Sequence, residues 1–361
     1  VRRNARAALA GASVIAMVLG GTAAQAAPAD DSPQDIFEKA SPATVNVIGK
    51  KGSGSGFVYD ADQGLIVTNA HVVAGEDALK AVIPGRGEVP VQVLGSDPCE
   101  DVAVLKLSTP QEDLTALEFG DSDEVQAGDE VTALGYPASL QSNVETEKPV
   151  YTSGAVQSPN VPADPSPSDP HFTSTIQHSA TLNPGNSGGP LLDSDTEVVG
   201  LNTLQNPEAQ GQYYSISSRH VRSLLKPLAD GLKKDDPGWQ LVSLDDQNAT
   251  ALFTDPDDQQ AVADIQKRVT DAGQSGLLVY NVVTDSPAAR ARLEIGDVIT
   301  SVKDTPVSTM ADLCDVLQSA PAGSVLPLHG MYTVNAGATD EAGHVTKFGE
   351  EWDVQLRLSK K

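Results

Sequence analysis

The chain has few aromatic residues, almost no cysteine and little positive charge. Aromatics make up 4% of its 361 residues, while Gly and Pro number 31 and 24. That balance disfavours long helices and favours many short strands joined by turns. Lys and Arg total 24 against 49 Asp and Glu, a net charge of -25. Such acidity excludes nucleic acid as the expected partner and argues against adsorption to anionic lipid. Beyond the N-terminus no stretch approaches the roughly 18 apolar residues of a membrane span. Cys99 and Cys314 are the only cysteines. Neither has a second ligand at metal spacing, so no metal site is expected. They lie far apart in sequence and in different expected domains. Export would permit a disulfide, but two buried thiols are the expected state. Two motif-like stretches also fail on inspection, and no cofactor is expected. Gly52-Ser53-Gly54-Ser55-Gly56 lacks the helix and lysine of a phosphate loop. Asp255, Asp257 and Asp258 fail as a calcium loop, because Gln260 stands where glycine is needed.

What the chain does have is Asn183-Pro184-Gly185-Asn186-Ser187-Gly188-Gly189-Pro190. Attack on an amide carbonyl needs an exposed hydroxyl and backbone N–H groups aimed where negative charge develops on oxygen. Glycines around Ser187 allow a sharp turn and close substrate approach, and the N–H groups of Gly185 and Ser187 are the expected oxyanion hole. A plain turn is the competing reading, since these are also turn residues. Two upstream segments decide against it. Leu65 to Val73 is an apolar run carrying His71, and Asp101 opens the apolar run Val102 to Leu107. The order His71, Asp101, Ser187 is that of the chymotrypsin barrels, not of subtilisins or α/β-hydrolases.

On these residues the chain resembles the HtrA/Deg family of PDZ-linked serine proteases, within the trypsin-like superfamily. The matching segments are Gly54-Ser55-Gly56-Phe57-Val58, Thr68 to Val73, Asp101 to Lys106, Gly135-Tyr136-Pro137, Thr152 to Val156 and Asn183 to Pro190. Downstream, Gly276-Leu277-Leu278-Val279, Ser286-Pro287-Ala288-Ala289 and Gly296-Asp297-Val298-Ile299 look like the family's PDZ core. The resemblance implies a mainly β chain: a chymotrypsin-like double β-barrel over 37–232, then a PDZ domain over 238–361. A charged linker, 233–237, separates them. Residues 1–26 read as an export signal, with Arg2, Arg3 and Arg6 before a small apolar core and Ala24-Gln25-Ala26 as a cleavage site. Secretion or another extracytoplasmic location follows, with an uncleaved anchor as the rival. Residues 27–36 read as a flexible lead.

The expected reaction is peptide-bond hydrolysis through an acyl-enzyme. Ser187 attacks, His71 relays the proton, and Asp101 fixes the imidazole tautomer. Asp97 and Glu100 are expected to be solvated turn residues. The resemblance places Thr181 at the base of the specificity pocket and Tyr214-Ser215-Ile216 along its wall, implying small or medium apolar residues at the cleaved position. His178-Ser179 stands where the family has Thr-Asp, and is read as a surface change. Trp239-Gln240-Leu241-Val242 is the nearest match to the PDZ carboxylate-capture loop but lacks its glycine, and Arg292 replaces another family glycine. The implied partners are unfolded or exported polypeptides and a peptide at the PDZ domain. The resemblance also allows a homo-oligomer, a trimer in particular. Two other classes are weighed: a protease-fold chaperone or peptide-binding protein with little hydrolysis, and an esterase using the same triad. Two insertions complete the reading. Ser158 to Pro170 holds five prolines, so it is expected to be exposed and irregular and to gate the oxyanion hole. A helix is expected over Asp258 to Thr270.

Overall fold

The computed structural model describes residues 30–360 except 51, 77, 139–147, 206–209, 234, 254, 334–342 and 344. The expected export signal, 1–26, lies outside the described residues. So does the beginning of the lead, 27–29. From residue 30 the lead is described: helix α1 (Pro33–Ala40) starts on Ser32, which forms a capping box with Asp35.

Short apolar runs between Gly, Pro and Asp turns become strands that close into two six-stranded barrels. The first contains β1 (Thr44–Ile48), β2 (Ser53–Asp60), β3 (Leu65–Thr68), β4 (Leu79–Ile83), β5 (Gly87–Asp97) and β6 (Val102–Leu107), in the order β1-β2-β3-β6-β5-β4. A four-residue helix, α2 (Ala70–Val73), follows β3. The second barrel contains β7 (Glu130–Gly135), β8 (Val150–Ala163), β9 (Phe172–His178), β10 (Pro190–Leu192), β11 (Val198–Gln205) and β12 (Tyr213–Ser217), ordered β10-β11-β12-β9-β8-β7. Helix α3 (Ser218–Ala229) follows, and its Val221 and Leu228 pack with Phe57, Leu134, Leu192, Leu201 and Ile216 in one core shared by both barrels. Burying a side chain of this size contributes about 1.5–3 kcal/mol. The shared core therefore fixes the cleft from which the site is built.

The C-terminal part is a six-stranded sheet: β13 (Trp239–Ser243), β14 (Leu277–Val282), β15 (Asp297–Val302), β16 (Thr305–Pro306), β17 (Val325–Tyr332) and β18 (Glu351–Arg357). Its main path runs β13-β14-β15-β17-β18, which leaves β13 at an edge. Three helices accompany it: α4 (Pro256–Asp271), α5 (Pro287–Arg290) and α6 (Met310–Ser319). Strand alternation sends Leu241 into the core shared with Leu313 and Cys314 of α6. It sends Val242 to the other face, against Val262 and Val269 of α4. The inserted helix, α4, thus covers one sheet face, capped by Asp255, whose carboxylate accepts the Asp257 N–H at 2.8 Å.

Four expectations need correction. Cys99 and Cys314 are disulfide-bonded, with Cα atoms 5.4 Å apart. Docking of α6 against the first barrel brings them together, which sequence distance could not reveal. The proline-rich insertion is not wholly irregular: β8 continues through Pro159 and Pro162 to Ala163, pairing with β9 across three register shifts. Bulges of this kind are where a sheet accommodates proline. The remainder, 164–170, is half-buried for the most part, with Pro170 buried. Asp97 is not solvated but 6% exposed, and Asp235 of the linker is equally buried.

Candidate active site

His71 sits on α2, not at the end of a strand. Asn69 ends the apolar run, and the chain turns into one helical turn that carries the imidazole. Asp101 precedes β6 with φ +51, a left-handed conformation that aspartate tolerates better than most residues. The Asn69 side-chain amide donates to the Asp101 carbonyl at 2.9 Å and holds that backbone in place. The Asp101 carboxylate then meets His71 twice over. Oδ1 accepts the His71 backbone N–H at 3.0 Å, and Nδ1 lies 3.0 Å from each carboxylate oxygen. A third donor completes the set: Thr203 Oγ1 donates to Asp101 Oδ2 at 2.6 Å. Asp101 is 4% exposed, so these bonds replace its water.

Desolvation by the protein around the ring disfavours the charged form of His71, although half of its side chain stays open to solvent. The Asp101 charge, the hydrogen bond to Asp101 and the charge of Asp169 outweigh it, and the His71 pKa is raised above 6.5. Asp169 belongs to the proline-rich insertion. It lines, with His71, Asp101, Trp239, Arg290 and Met310, a cleft of about 560 Å³. Its own pKa is raised by burial in the first place, with Asp101 and Asp246 adding to the effect.

Ser187 lies on the loop before β10. Its hydroxyl donates to the Thr203 carbonyl at 3.2 Å. No hydrogen bond among the described residues joins it to His71; nucleophile and base often meet only when substrate is bound. Ser55 braces the loop from the first barrel: its N–H donates to the Ser187 carbonyl at 2.8 Å and its hydroxyl to the Gly185 carbonyl at 2.6 Å. Among the described residues nothing accepts from the N–H groups of Gly185 and Ser187. Two glycines are required by geometry. Gly185 has φ +102 and Gly188 φ +87, and a Cβ there would collide with the Tyr136 carbonyl and the Ser55 carbonyl respectively.

The residues expected to form the specificity pocket fall into two groups. Thr181 is exposed and Tyr214 half-buried, whereas Ser215 and Ile216 are at most 1% exposed. Buried side chains cannot touch a substrate, so only Thr181 and Tyr214 offer surface. Ser215 instead joins a polar chain that includes His178, which is fully buried rather than a surface change. Asn202 Nδ2 donates to the Pro190 carbonyl at 3.0 Å, leaving Asn202 Oδ1 to accept the Ser215 hydroxyl at 2.9 Å. Ser215 Oγ therefore accepts from His178 Nε2 at 2.9 Å, which fixes that tautomer. Burial pushes the His178 pKa down to about 4, keeping the ring neutral. Asn202 also accepts the Gly188 N–H at 2.8 Å through its carbonyl, so the chain ends on the serine loop.

Sequence reasoning missed Thr203 and Asn202. Their one signal is that two polar residues interrupt the apolar run Val198 to Leu204. In the C-terminal sheet, Trp239, Leu241 and Val242 of the expected capture loop are buried and Gln240 is half-buried. Arg292 holds φ +64, a backbone that favours the glycine it replaces.

Comparison with known proteins agrees with this architecture. The trypsin-like peptidase domain family matches residues 54–201, and the PDZ domain family matches 278–328. The chain is 32% identical over 342 residues to the mitochondrial serine protease HTRA2 of Bos taurus, covering 91% of this chain and 71% of that one. It is 30% identical over 305 residues to the putative serine protease HhoA of Synechocystis, covering 83% and 73%. With the periplasmic serine endoprotease DegP of Escherichia coli it shares 31% identity over 283 residues, 76% of this chain and 53% of DegP. Two barrels, a C-terminal PDZ domain and similarity of this extent mean that the chain belongs to the HtrA family of trypsin-like serine proteases.

Proposed function

We propose that the chain is a serine endopeptidase in which Ser187 is the nucleophile, His71 the general base and Asp101 the group that orients the base. The observation that carries this reading is the grip on His71: both Asp101 oxygens lie 3.0 Å from Nδ1. That grip leaves Nε2 to take a proton from a hydroxyl. For the transfer the Ser187 hydroxyl has to leave the Thr203 carbonyl and meet Nε2. His71 accepts the proton as Ser187 Oγ bonds to the scissile carbonyl carbon, and returns it to the leaving amine. Water then repeats the sequence on the acyl-enzyme. The N–H groups of Gly185 and Ser187, both free of described acceptors, would stabilise the oxyanion.

Thr181 and Tyr214 bring no carboxylate to the pocket, which supports cleavage after small or medium apolar residues. The edge strand β13 supports binding of an extended peptide by strand addition, with specificity from alternate side chains. The periplasmic relative DegP supports an extracytoplasmic location, and exported or unfolded polypeptides are the substrates that this reading takes. No helix among the described residues is long and apolar enough to cross a membrane. An oligomer, a trimer in particular, is part of the same reading. Clearance of unfolded casein by the parent chain, with none by Ser187→Ala, tests the proposal. Equal clearance by both would end it.

A further inference from the structure

The edge of β13 is already occupied. A peptide adding to this strand would need its outward N–H groups and the trough between it and α6. The Ser243 N–H instead donates to Ser168 Oγ at 3.1 Å. Across the trough, the Met310 N–H at the start of α6 donates to the Pro167 carbonyl at 2.9 Å. The two walls are themselves joined where Ser243 Oγ donates to the Ser308 carbonyl at 2.7 Å. Both inserted residues come from the protease's own proline-rich insertion, which therefore touches strand and helix together.

That segment is built to hold its shape. Ser166 Oγ donates to Asp169 Oδ2 at 2.7 Å, and the Asp169 N–H donates to the Ser166 carbonyl at 3.1 Å. The prolines at 165, 167 and 170 fix φ beforehand, so little chain entropy is lost on insertion. The opposite wall is covalently fixed. Cys314 lies on α6 and its partner Cys99, 2% exposed, is packed inside the core of the C-terminal sheet. Gln318, also on α6, donates to Glu100 at 2.9 Å, and Gln240 of β13 donates to the Ala74 carbonyl at 3.1 Å.

We propose that Ser166–Asp169 is an internal ligand of the peptide groove, locked there by the Cys99–Cys314 disulfide, so that the groove opens to an external peptide only when that bond is broken. The proposal rests on the reading of the β13–α6 trough as the peptide groove, and not on the assignment of the triad. The physical basis is effective concentration. A segment tethered on both sides competes at about millimolar strength with any free peptide, and the disulfide keeps the PDZ domain from moving away. Opening takes two electrons and two protons from a dithiol, which leaves as its cyclic disulfide while Cys99 and Cys314 return as thiols.

Hydrogen exchange read by mass spectrometry on the full chain tests this. Residues Leu241–Leu244 and the start of α6 should exchange slowly in the oxidised chain. Exchange there should be at least about tenfold faster in Cys314→Ser, in chain reduced with dithiothreitol, and in an oxidised variant whose residues 164–169 are replaced by a Gly-Ser bridge. A fluorescein-labelled peptide of the sequence 163–170 should bind the bridged variant and not the oxidised parent. Equally slow exchange in parent and bridged variant would overturn the internal ligand, as would equal binding of the probe to both. Fast exchange in the bridged variant without probe binding would instead overturn the groove reading beneath it.

Discussion

Thr203 offers the sharpest quantitative check on the site, because one hydroxyl is the difference. Thr203→Val keeps the shape and the backbone carbonyl that meets Ser187, but removes the donor 2.6 Å from Asp101 Oδ2. Both residues are buried, at 6% and 4% exposure, so water cannot easily replace the bond. A hydrogen bond to a charged group contributes about 1.5–3 kcal/mol. If all of that weight is carried into the transition state, turnover falls by roughly 10- to 100-fold, at about 1.4 kcal/mol per decade. The fall should stay well short of the ~10⁴-fold expected for Asp101→Asn, which would favour the wrong tautomer. Asp101 would also keep its charge less screened beside His71, so the acidic limb of the pH–rate profile should move up. Steady-state kinetics on a chromogenic peptide between pH 5 and 9 reads both effects. Unchanged turnover with an unchanged limb would show that Thr203 does not support the Asp101 charge. A ~10⁴-fold loss would show that it does more than the structure assigns.

Three further outcomes follow from the same contacts. The charge of Asp169 helps to raise the His71 pKa, so Asp169→Asn should shift the acidic limb of activity to lower pH; a shift upward would contradict the arrangement. Burial first, then Asp235 and Glu100, pushes Asp97 up to about 7 from 3.8. A carboxyl raised on folding binds its proton more tightly in the native state, so stability declines as pH climbs from about 4 through 7. Asp97→Asn should therefore gain most over the parent in urea unfolding at pH 8 and least at pH 4, and an equal effect at both would refute the buried acid. Gly188→Ala should lower turnover by at least about tenfold, because the added Cβ meets the Ser55 carbonyl at a positive φ that alanine resists; normal kinetics would mean that the loop is not tightly braced.

Local patterns made much of this legible from sequence. Apolar runs bounded by turns marked strands, the resemblance implied that they close into two barrels, and three polar residues in a known order put His71, Asp101 and Ser187 forward as the candidate triad before any geometry was seen. Helix α4 was expected over Asp258 to Thr270 and spans Pro256–Asp271, though its place against the sheet was not foreseen. What stayed hidden depends on docking between distant surfaces, which has no period. Cys99 and Cys314 meet only because α6 lies on the first barrel. Asp97 is buried, as is Asp235 of the linker, and His178 is buried by the strand that carries Ser215. The insertion was read as exposed because its prolines deny it a regular ladder. Its last residues find partners on another domain: Ser168 accepts from β13 and Pro167 from the start of α6. Thr203 was missed because a threonine in a strand is ordinary; only the carboxylate opposite makes it special.

Covalent labelling tests the central claim most directly. A fluorophosphonate should form one adduct on the full chain, located by peptide mass mapping on Ser187. The adduct should be absent in Ser187→Ala and form at least about 10³-fold more slowly in His71→Ala, where the general base is gone. An adduct on another residue, or labelling at the parent rate in Ser187→Ala, would contradict the assignment of the nucleophile.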